Sequence, residues 1–342
     1  MTRNLVAGAL VVAVFFLLLE GGLRLSGRVP TQALRSPDLE TLDRIPGLFE
    51  PGQQLVDRIR PDLPYPIHIN TLGFRGREFQ LAKAPGALRV LCLGDSYTFG
   101  HHVTDEEAFP ALLDRRLRQG GRGEAINGGA NGFTILDEAR FLKSKGMALD
   151  PDLIVLVFSQ NDIADLARPV PMIDAMRAHA RLKSRPVIGP ALKVLQRTAT
   201  FNAMQRMAAW MRVRDLRARD AAPADEAPLW DRYRAALADL AGTAGRTRVL
   251  VAAWPSAEQS LAGQVPPSHA ALASAAQANG LAFLDLSPAM AAVIRQGGAP
   301  YLVPLDGHPS AAGHRAAAEA MMRRLQELGW LTDVPTVIGA DR

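Results

Sequence analysis

LRVLCLGDSYTFG, residues 88–100, is the stretch that decides the fold. Its first part, Leu88–Gly94, is a short, nearly continuous apolar run of the kind expected for a strand covered on both faces. The run breaks abruptly into Gly94-Asp95-Ser96 and returns to glycine at Gly100. In open parallel sheets, ligands bind beyond the carboxyl ends of the strands. A serine at this break therefore stands where a substrate can reach it. A lone Gly-Asp-Ser reads better as the start of a helix capped by its serine, so the case for a nucleophile has to come from the rest of the chain.

Outward from this stretch the same punctuation recurs. Glu124–Asn127, Asp152–Phe158, Thr247–Ala253 and Leu281–Leu286 are further short apolar runs and strand candidates. Helical periodicity fills the spaces at Pro110–Gln119, Ile135–Lys145, Leu229–Ala241, Ser268–Asn279 and Ala311–Leu328. Pro110 suits a first helical turn, and Gly280 and Gly329 suit helix ends. Strand–helix alternation of this kind predicts an α/β fold with a parallel, doubly wound sheet.

Composition agrees with a globular body. Of 342 residues, 48% are hydrophobic and 21% charged, ordinary values that allow a sizeable core and exclude low-complexity or repeat architectures. The single cysteine, Cys92, lies inside the first strand run, reads as a buried core thiol and rules out an intrachain disulfide. The formal net charge of +5 is compatible with nucleic acid, an anionic membrane surface or an acidic polymer as neighbour.

The basic residues are concentrated in residues 167–226, a stretch without a convincing strand: between Arg177 and Arg219 there are eleven Lys or Arg and one acid, Asp215. Met204, Met207, Trp210 and Met211 recur there at amphipathic-helix spacing. Two readings stay open. The insertion packs its apolar stripe on the sheet domain with its charges solvated, or it forms a cap that rests on anionic lipid or lines a groove for an acidic substrate.

At the N-terminus, Leu5–Leu19 is an unbroken apolar run of 15 residues, and continuing to Leu25 gives 21. The longer segment is roughly 31 Å of helix, enough to cross a bilayer core. Glu20 and Arg24 sit at one end, within reach of headgroups. Residues 1–25 thus read as a transmembrane anchor or, alternatively, a cleaved signal, although no Ala-x-Ala pattern follows. Arg3 lies on one side and Arg24, Arg28 and Arg35 on the other, so the positive-inside rule gives no orientation. With a membrane anchor, a nucleic-acid partner is not expected. Residues 26–65, rich in Pro, Gly and charge, read as a stalk. Pro66–Asn70 alternates like an edge strand, Asn70-Thr71-Leu72-Gly73 offers a turn, and residues 331–342 form a tail.

Support for Ser96 as a nucleophile comes from Leu305-Asp306-Gly307-His308-Pro309-Ser310, which precedes an alanine-rich helix. A serine hydroxyl needs a base, and an acid beside a histidine can orient the ring and stabilise its imidazolium form. His314 falls about two turns into that helix and reads as structural. His101 and His102 either line the pocket or are polar loop residues. Asn127-Gly128-Gly129-Ala130-Asn131-Gly132 follows the second strand and can offer backbone N–H groups; Ser159-Gln160-Asn161-Asp162 ends the third, where Asn161 can offer a side-chain amide.

These four segments together resemble the SGNH/GDSL hydrolase superfamily, whose blocks centre on Ser, Gly, Asn and His. Ser96 matches the first block and Gly132 the family's oxyanion glycine. Asn161 matches the third block, which here lacks its usual glycine, and His308 the last, where Asp306 stands two residues ahead instead of three. The shorter spacing is similar to that of acyltransferase relatives and membrane-anchored members. Ile69-Asn70-Thr71-Leu72-Gly73-Phe74-Arg75-Gly76 likewise resembles a segment preceding the domain in anchored bacterial members.

The resemblance implies a three-layer α/β/α sandwich with a flavodoxin-like sheet over residues 66–330, outside the insertion, with no metal and no organic cofactor. It implies Ser96 as nucleophile, His308 as base and Asp306 as its orienter. The Ser96 and Gly132 N–H groups and the Asn161 amide would form the oxyanion hole. The expected activity is hydrolysis of an acylated carbohydrate or lipid of the envelope, with the domain extracytoplasmic (periplasmic). The alternatives are O-acyl transfer to an extracytoplasmic polysaccharide, with a membrane partner supplying the acyl group, and a catalytically idle tethered binding module. An α/β-hydrolase is disfavoured because Ser96 is not in Gly-x-Ser-x-Gly.

Overall fold

Alternation along each strand builds two apolar faces from one sheet. In the computed structural model, which describes residues 2–26, 34–60, 63–121, 123–205, 207–208, 211 and 226–331, strand β3 (Leu88–Leu93) sends Leu91 and Leu93 into one core and Val90 and Cys92 into the other. Strands β4 (Gly123–Asn127), β5 (Leu153–Ser159), β6 (Arg248–Trp254) and β7 (Ala282–Asp285) complete a five-stranded sheet of order β4-β3-β5-β6-β7, with every pairing parallel. Numbered within the sheet this is the 2-1-3-4-5 order of flavodoxin-like folds, whose ligand site lies where the order reverses. That switch point falls between β3 and β5, so the end of β3 is the place a site is expected.

Helices α4 (Phe109–Gln119), α12 (Ser287–Arg295) and α13 (Ala311–Glu327) cover one face through residues such as Leu113, Met290 and Met321. Helices α5 (Ile135–Ser144), α9 (Ala227–Ala244) and α11 (Pro267–Ala278) cover the other through Phe141, Leu237 and Leu272. The three-layer α/β/α arrangement is therefore present. The strands and long helices lie within a few residues of their expected bounds; short helices, among them α3 (Ser96–Phe99), α6 (Asn161–Asp165) and α10 (Ala257–Leu261), are additions.

The expected stalk over 26–65 needs correction. Residues 27–33 and 61–62 lie outside the description, but the described remainder is structured. Helix α2 (Leu39–Arg44) is capped by Asp38, whose carboxylate accepts from the Thr41 N–H at 3.0 Å. Strand β1 (Gln54–Arg60) pairs antiparallel with β2 (Leu63–His68). Leu42, Leu48, Phe49 and Leu55 are all buried. Pro and Gly mark turns, and here the turns bound short elements instead of a loose linker.

The insertion contains α7 (Met172–Lys183), α8 (Ile188–Leu195) and a further helical stretch over 199–205; residues 212–225 and Trp210 lie outside the description. Of its expected apolar stripe, the described residues Met204, Met207 and Met211 are exposed and do not pack on the sheet domain. Helix α1 (Thr2–Ser26) contains one segment, Val6–Ser26, long and apolar enough to cross a membrane. Leu331 is buried, and the rest of the expected tail, 332–342, lies outside the description.

Candidate active site

From Arg89 to Gly100 every residue is buried except Ser96. Asp95, not Ser96, caps α3, accepting the Tyr97 N–H at 2.8 Å. The capping reading of the serine therefore fails, and its hydroxyl is free for other work. Two glycines make the sharp turn possible. A Cβ on Gly94 would come within 2.2 Å of Thr98 Oγ1, and Gly100 closes α3 at φ +86° in the left-handed region. As the first helical residue, Ser96 has an N–H with no intrahelical acceptor.

The structure brings Ser96, His308 and Asp306 into one hydrogen-bonded row. His308 Nε2 lies 2.9 Å from Ser96 Oγ, and the other ring nitrogen, Nδ1, is hydrogen-bonded to Asp306 Oδ1. The same carboxylate oxygen accepts the His308 backbone N–H at 2.8 Å, which the two-residue spacing of Asp306 and His308 makes possible. Burial acts to raise the Asp306 carboxyl, but hydrogen bonds from His102 and His308 outweigh it and hold the group well below the usual carboxylate range. An ionised Asp306 can only accept, so the Nδ1 proton points at it and Nε2 is left to accept from the serine. Tyr97 steadies this loop, donating its hydroxyl to the Gly307 carbonyl at 3.2 Å.

His101 and His102 prove to be part of the site. Their ring centres lie 5.0 and 5.4 Å from that of His308, and His102 Nε2 is 3.6 Å from Asp306 Oδ2. Desolvation, helped by the charges of His102 and His308, pushes His101 well below the ordinary histidine range, which keeps it neutral. His102, Asp306 and His308 offer three ligand atoms within 4.8 Å of one another, a spacing open to a metal ion. Ligation at His308 Nδ1 would break its hydrogen bond to Asp306. His314 is buried in α13 and stacks on Phe109, accepting that residue's N–H at 3.3 Å.

The other two expected residues sit at the ends of neighbouring elements. Asn161 begins α6, and its amide nitrogen donates to Asp95 Oδ2 at 3.2 Å and Asp165 Oδ2 at 3.0 Å. Gly132 is held through its carbonyl by Arg168 Nη1 at 2.5 Å, and Arg168 pairs with Asp165. A chain of polar contacts therefore joins Asn161 to Gly132. Beneath it, Ser159 Oγ bonds Asp95 Oδ2 at 2.8 Å, and Asp162 and Glu138 are buried nearby. Burial, reinforced by neighbouring carboxylates, raises both Asp162 and Glu138 well above their ordinary values.

The model of the GDSL-like lipase/acylhydrolase family matches residues 92–316, well over half the chain. The chain belongs to this family. It is an esterase by that membership. Solved structures similar to this GDSL-like protein include a catalytic mutant of Axe2, an acetylxylan esterase from Geobacillus stearothermophilus. That match has 17% identity and a TM-score of 0.43, over 71% of this chain and 96% of that one. TesA matches at 17% identity and TM-score 0.42, over 70% of this chain and 99% of that one. A two-domain esterase active on acetylated mannans matches at 14% identity and TM-score 0.46, over 73% of this chain and 52% of that one. No curated protein sequence matches the chain.

In this GDSL-like chain the lead-in grips the serine loop, a function that reading the sequence did not assign. Arg75 is buried and donates to the carbonyls of Phe99 at 3.0 Å, Gly100 at 2.5 Å and Val103 at 2.7 Å, with its Nε on Asp105 at 2.6 Å. Asp105 also accepts the His68 backbone N–H at 2.9 Å. Asn70 shapes the turn that aims Arg75, accepting the Leu72 and Phe74 N–H groups at 3.0 Å each. The available signal was the Asn70–Gly76 segment itself, an arginine set among turn residues.

Proposed function

We propose that this protein is a serine-dependent ester hydrolase working through an acyl-enzyme on an acylated carbohydrate or lipid of the cell envelope. In this reading α1 tethers it, and the α/β domain faces the extracytoplasmic (periplasmic) side. One observation carries the proposal: the only accessible side chain in the 89–100 stretch, Ser96, is hydrogen-bonded to an imidazole whose other nitrogen faces an ionised carboxylate.

Ser96 Oγ attacks the ester carbonyl as His308 Nε2 takes its proton, and Asp306 stabilises the imidazolium that results. The tetrahedral oxyanion is held by the N–H groups of Ser96 and Gly132 and by the Asn161 amide. Each such donor is worth about 3 kcal/mol. Asn161 supplies its amide by turning from one of its two carboxylate partners; Asp95 keeps the Ser159 hydroxyl and the Tyr97 N–H when it does. His308 then returns the proton to the leaving alkoxide, and water, deprotonated by the same ring, releases the acid. No metal or organic cofactor takes part in this scheme.

The test is hydrolysis of p-nitrophenyl acetate by the full chain in detergent. Ser96→Ala is expected to lower kcat by about 10⁶-fold and Asp306→Asn by roughly 10⁴-fold. Wild-type rates in Ser96→Ala would overturn the assignment. A fluorophosphonate probe is expected to label Ser96; an unlabelled, folded protein would favour a catalytically idle tethered module instead. A second reading is O-acyl transfer to an extracytoplasmic polysaccharide, with a membrane partner supplying the donor. It draws on the two-residue spacing of Asp306 and His308, and it predicts transfer to an oligosaccharide acceptor faster than hydrolysis.

A further inference from the structure

The outer half of the insertion presents an unusual surface. Helix α8, Ile188-Gly-Pro-Ala-Leu-Lys-Val-Leu195, is mostly apolar, yet of its residues only Gly189 is buried. Val187 is 82% exposed, Val194 65%, Met204 64% and Met207 55%. In a globular body an apolar helix normally turns its apolar stripe to the core, and contiguous exposed apolar residues mark an interaction surface.

Two independent observations name what covers it. First, this segment is tied to the end of α1. Glu20 accepts the N–H groups of Ala199 and Thr200 at 2.9 and 2.8 Å and the Thr200 hydroxyl at 2.8 Å, while Arg24 donates to the Arg197 carbonyl at 3.2 Å. If α1 crosses a bilayer, Glu20 and Arg24 lie at the headgroup boundary, because charged groups at helix ends reach for that layer. Residues 197–200 must then lie at the same depth. Second, the charge is one-sided. No acid occurs between Asp174 and Asp215, whereas Arg181, Arg185, Lys193 and Arg197 are exposed there. Exposed aliphatic and methionine side chains interleaved with cations are the composition of helices that lie in an anionic headgroup layer.

We propose that residues 187–205, together with Met207, form a membrane-surface element that lies in the anionic headgroup layer beside α1. This rests on the reading of α1 as a membrane anchor, and the experiment separates the two. Cysteines are placed singly at Val11, Val194, Met204 and Glu327 in a Cys92→Ser chain, labelled with an environment-sensitive fluorophore, and the full protein is reconstituted in phosphatidylcholine–phosphatidylglycerol nanodiscs. Lipids carrying a nitroxide near the headgroup or deep in the acyl chain are then added. The expected result is loss of most emission at Val194 and Met204 with the shallow nitroxide, at Val11 with the deep one, and none at Glu327. Quenching at Val11 with unquenched labels at Val194 and Met204 overturns the proposal and leaves the anchor standing; it would mean that the face waits for a protein. No quenching at any position overturns the anchor as well. Quenching at Val194 and Met204 that does not deepen when phosphatidylglycerol is present overturns the anionic preference.

Discussion

The lead-in over 34–76 and the outer insertion from 187 onward both stand outside the repeating strand–helix units, yet they are built on opposite terms. The lead-in sinks Leu42, Leu48, Phe49 and Leu55 into the body and spends a buried guanidinium, Arg75, on the carbonyls of the serine loop. The insertion keeps Val187, Val194 and Met204 outside and its nearby cations in solvent. Proline-rich irregularity and basic amphipathicity thus say little about how firmly a segment belongs to the domain. What decides is whether its apolar groups find a core and its polar groups find buried partners.

The comparison breaks most readily at Arg75. Arg75→Ala leaves Asp105 buried without its guanidinium and frees three loop carbonyls, so a loss of about 4 kcal/mol is expected. Denaturant titration of the full chain in detergent measures it. Ester hydrolysis should fall in the same variant even under conditions where it stays folded, because the serine loop loses its clamp. A stability loss below 1 kcal/mol would mean that the lead-in only decorates the domain.

Leu42→Ala, which touches no polar group of the site, is expected to cost about 3 kcal/mol through its cavity while leaving kcat near the wild-type value. Equal damage to kcat would show that α2 also positions the site.

Acid sharpens the contrast next. Burial, aided by the Arg75 and His308 charges, pushes His314 down to about 3. The folded state therefore binds no proton there until far below the pH at which the unfolded chain does. Stability from this group is present above about pH 6.5 and is lost as pH falls towards the folded value, by up to about 1.4 kcal/mol per unit. Stability measured between pH 7.5 and 4.5 should show this slope, and His314→Gln should flatten it; an unchanged slope would assign the acid limb to other groups.

The smallest effect belongs to the insertion. Val194→Ser and Met204→Ser should change stability by no more than about 0.5 kcal/mol, read by the same titration in micelles. A loss of several kcal/mol would place these side chains in a packed core.

The sheet was legible because each strand carries its own periodic signal. Val90 and Cys92 against Leu91 and Leu93 is a pattern of nearest neighbours, and β5 reads as Leu-Ile-Val-Leu-Val-Phe. The candidate residues were legible for a related reason. A serine after a strand, an amide after another and an acid–histidine pair before a helix are each local chemical types at positions where the fold exposes them. The contacts of Arg75 were not legible, because its acceptors at Phe99, Gly100, Val103 and Asp105 lie well downstream and no local pattern announces them. Of the β1–β2 pair only the alternation from Pro66 was legible; its partner and its start at Leu63 were hidden in a Pro- and Gly-rich stretch, where Pro64 is tolerated in a two-stranded ribbon.

By itself, then, the amino-acid order determined the parallel α/β architecture, the apolar N-terminal segment and the candidate roles of Ser96, Gly132, Asn161, Asp306 and His308. Those follow from hydrophobic periodicity, from the chemistry of single residue types and, for Gly132, from the resemblance to the SGNH/GDSL blocks. Only the tertiary structure decided that His102 shares Asp306 with His308, that Asn161 rests on Asp95 and Asp165, and that Arg75 holds the serine loop from a segment resembling a linker. These are meetings between residues remote in the chain. They depend on strand order and on where burial forces polar groups to find partners, which no local pattern encodes.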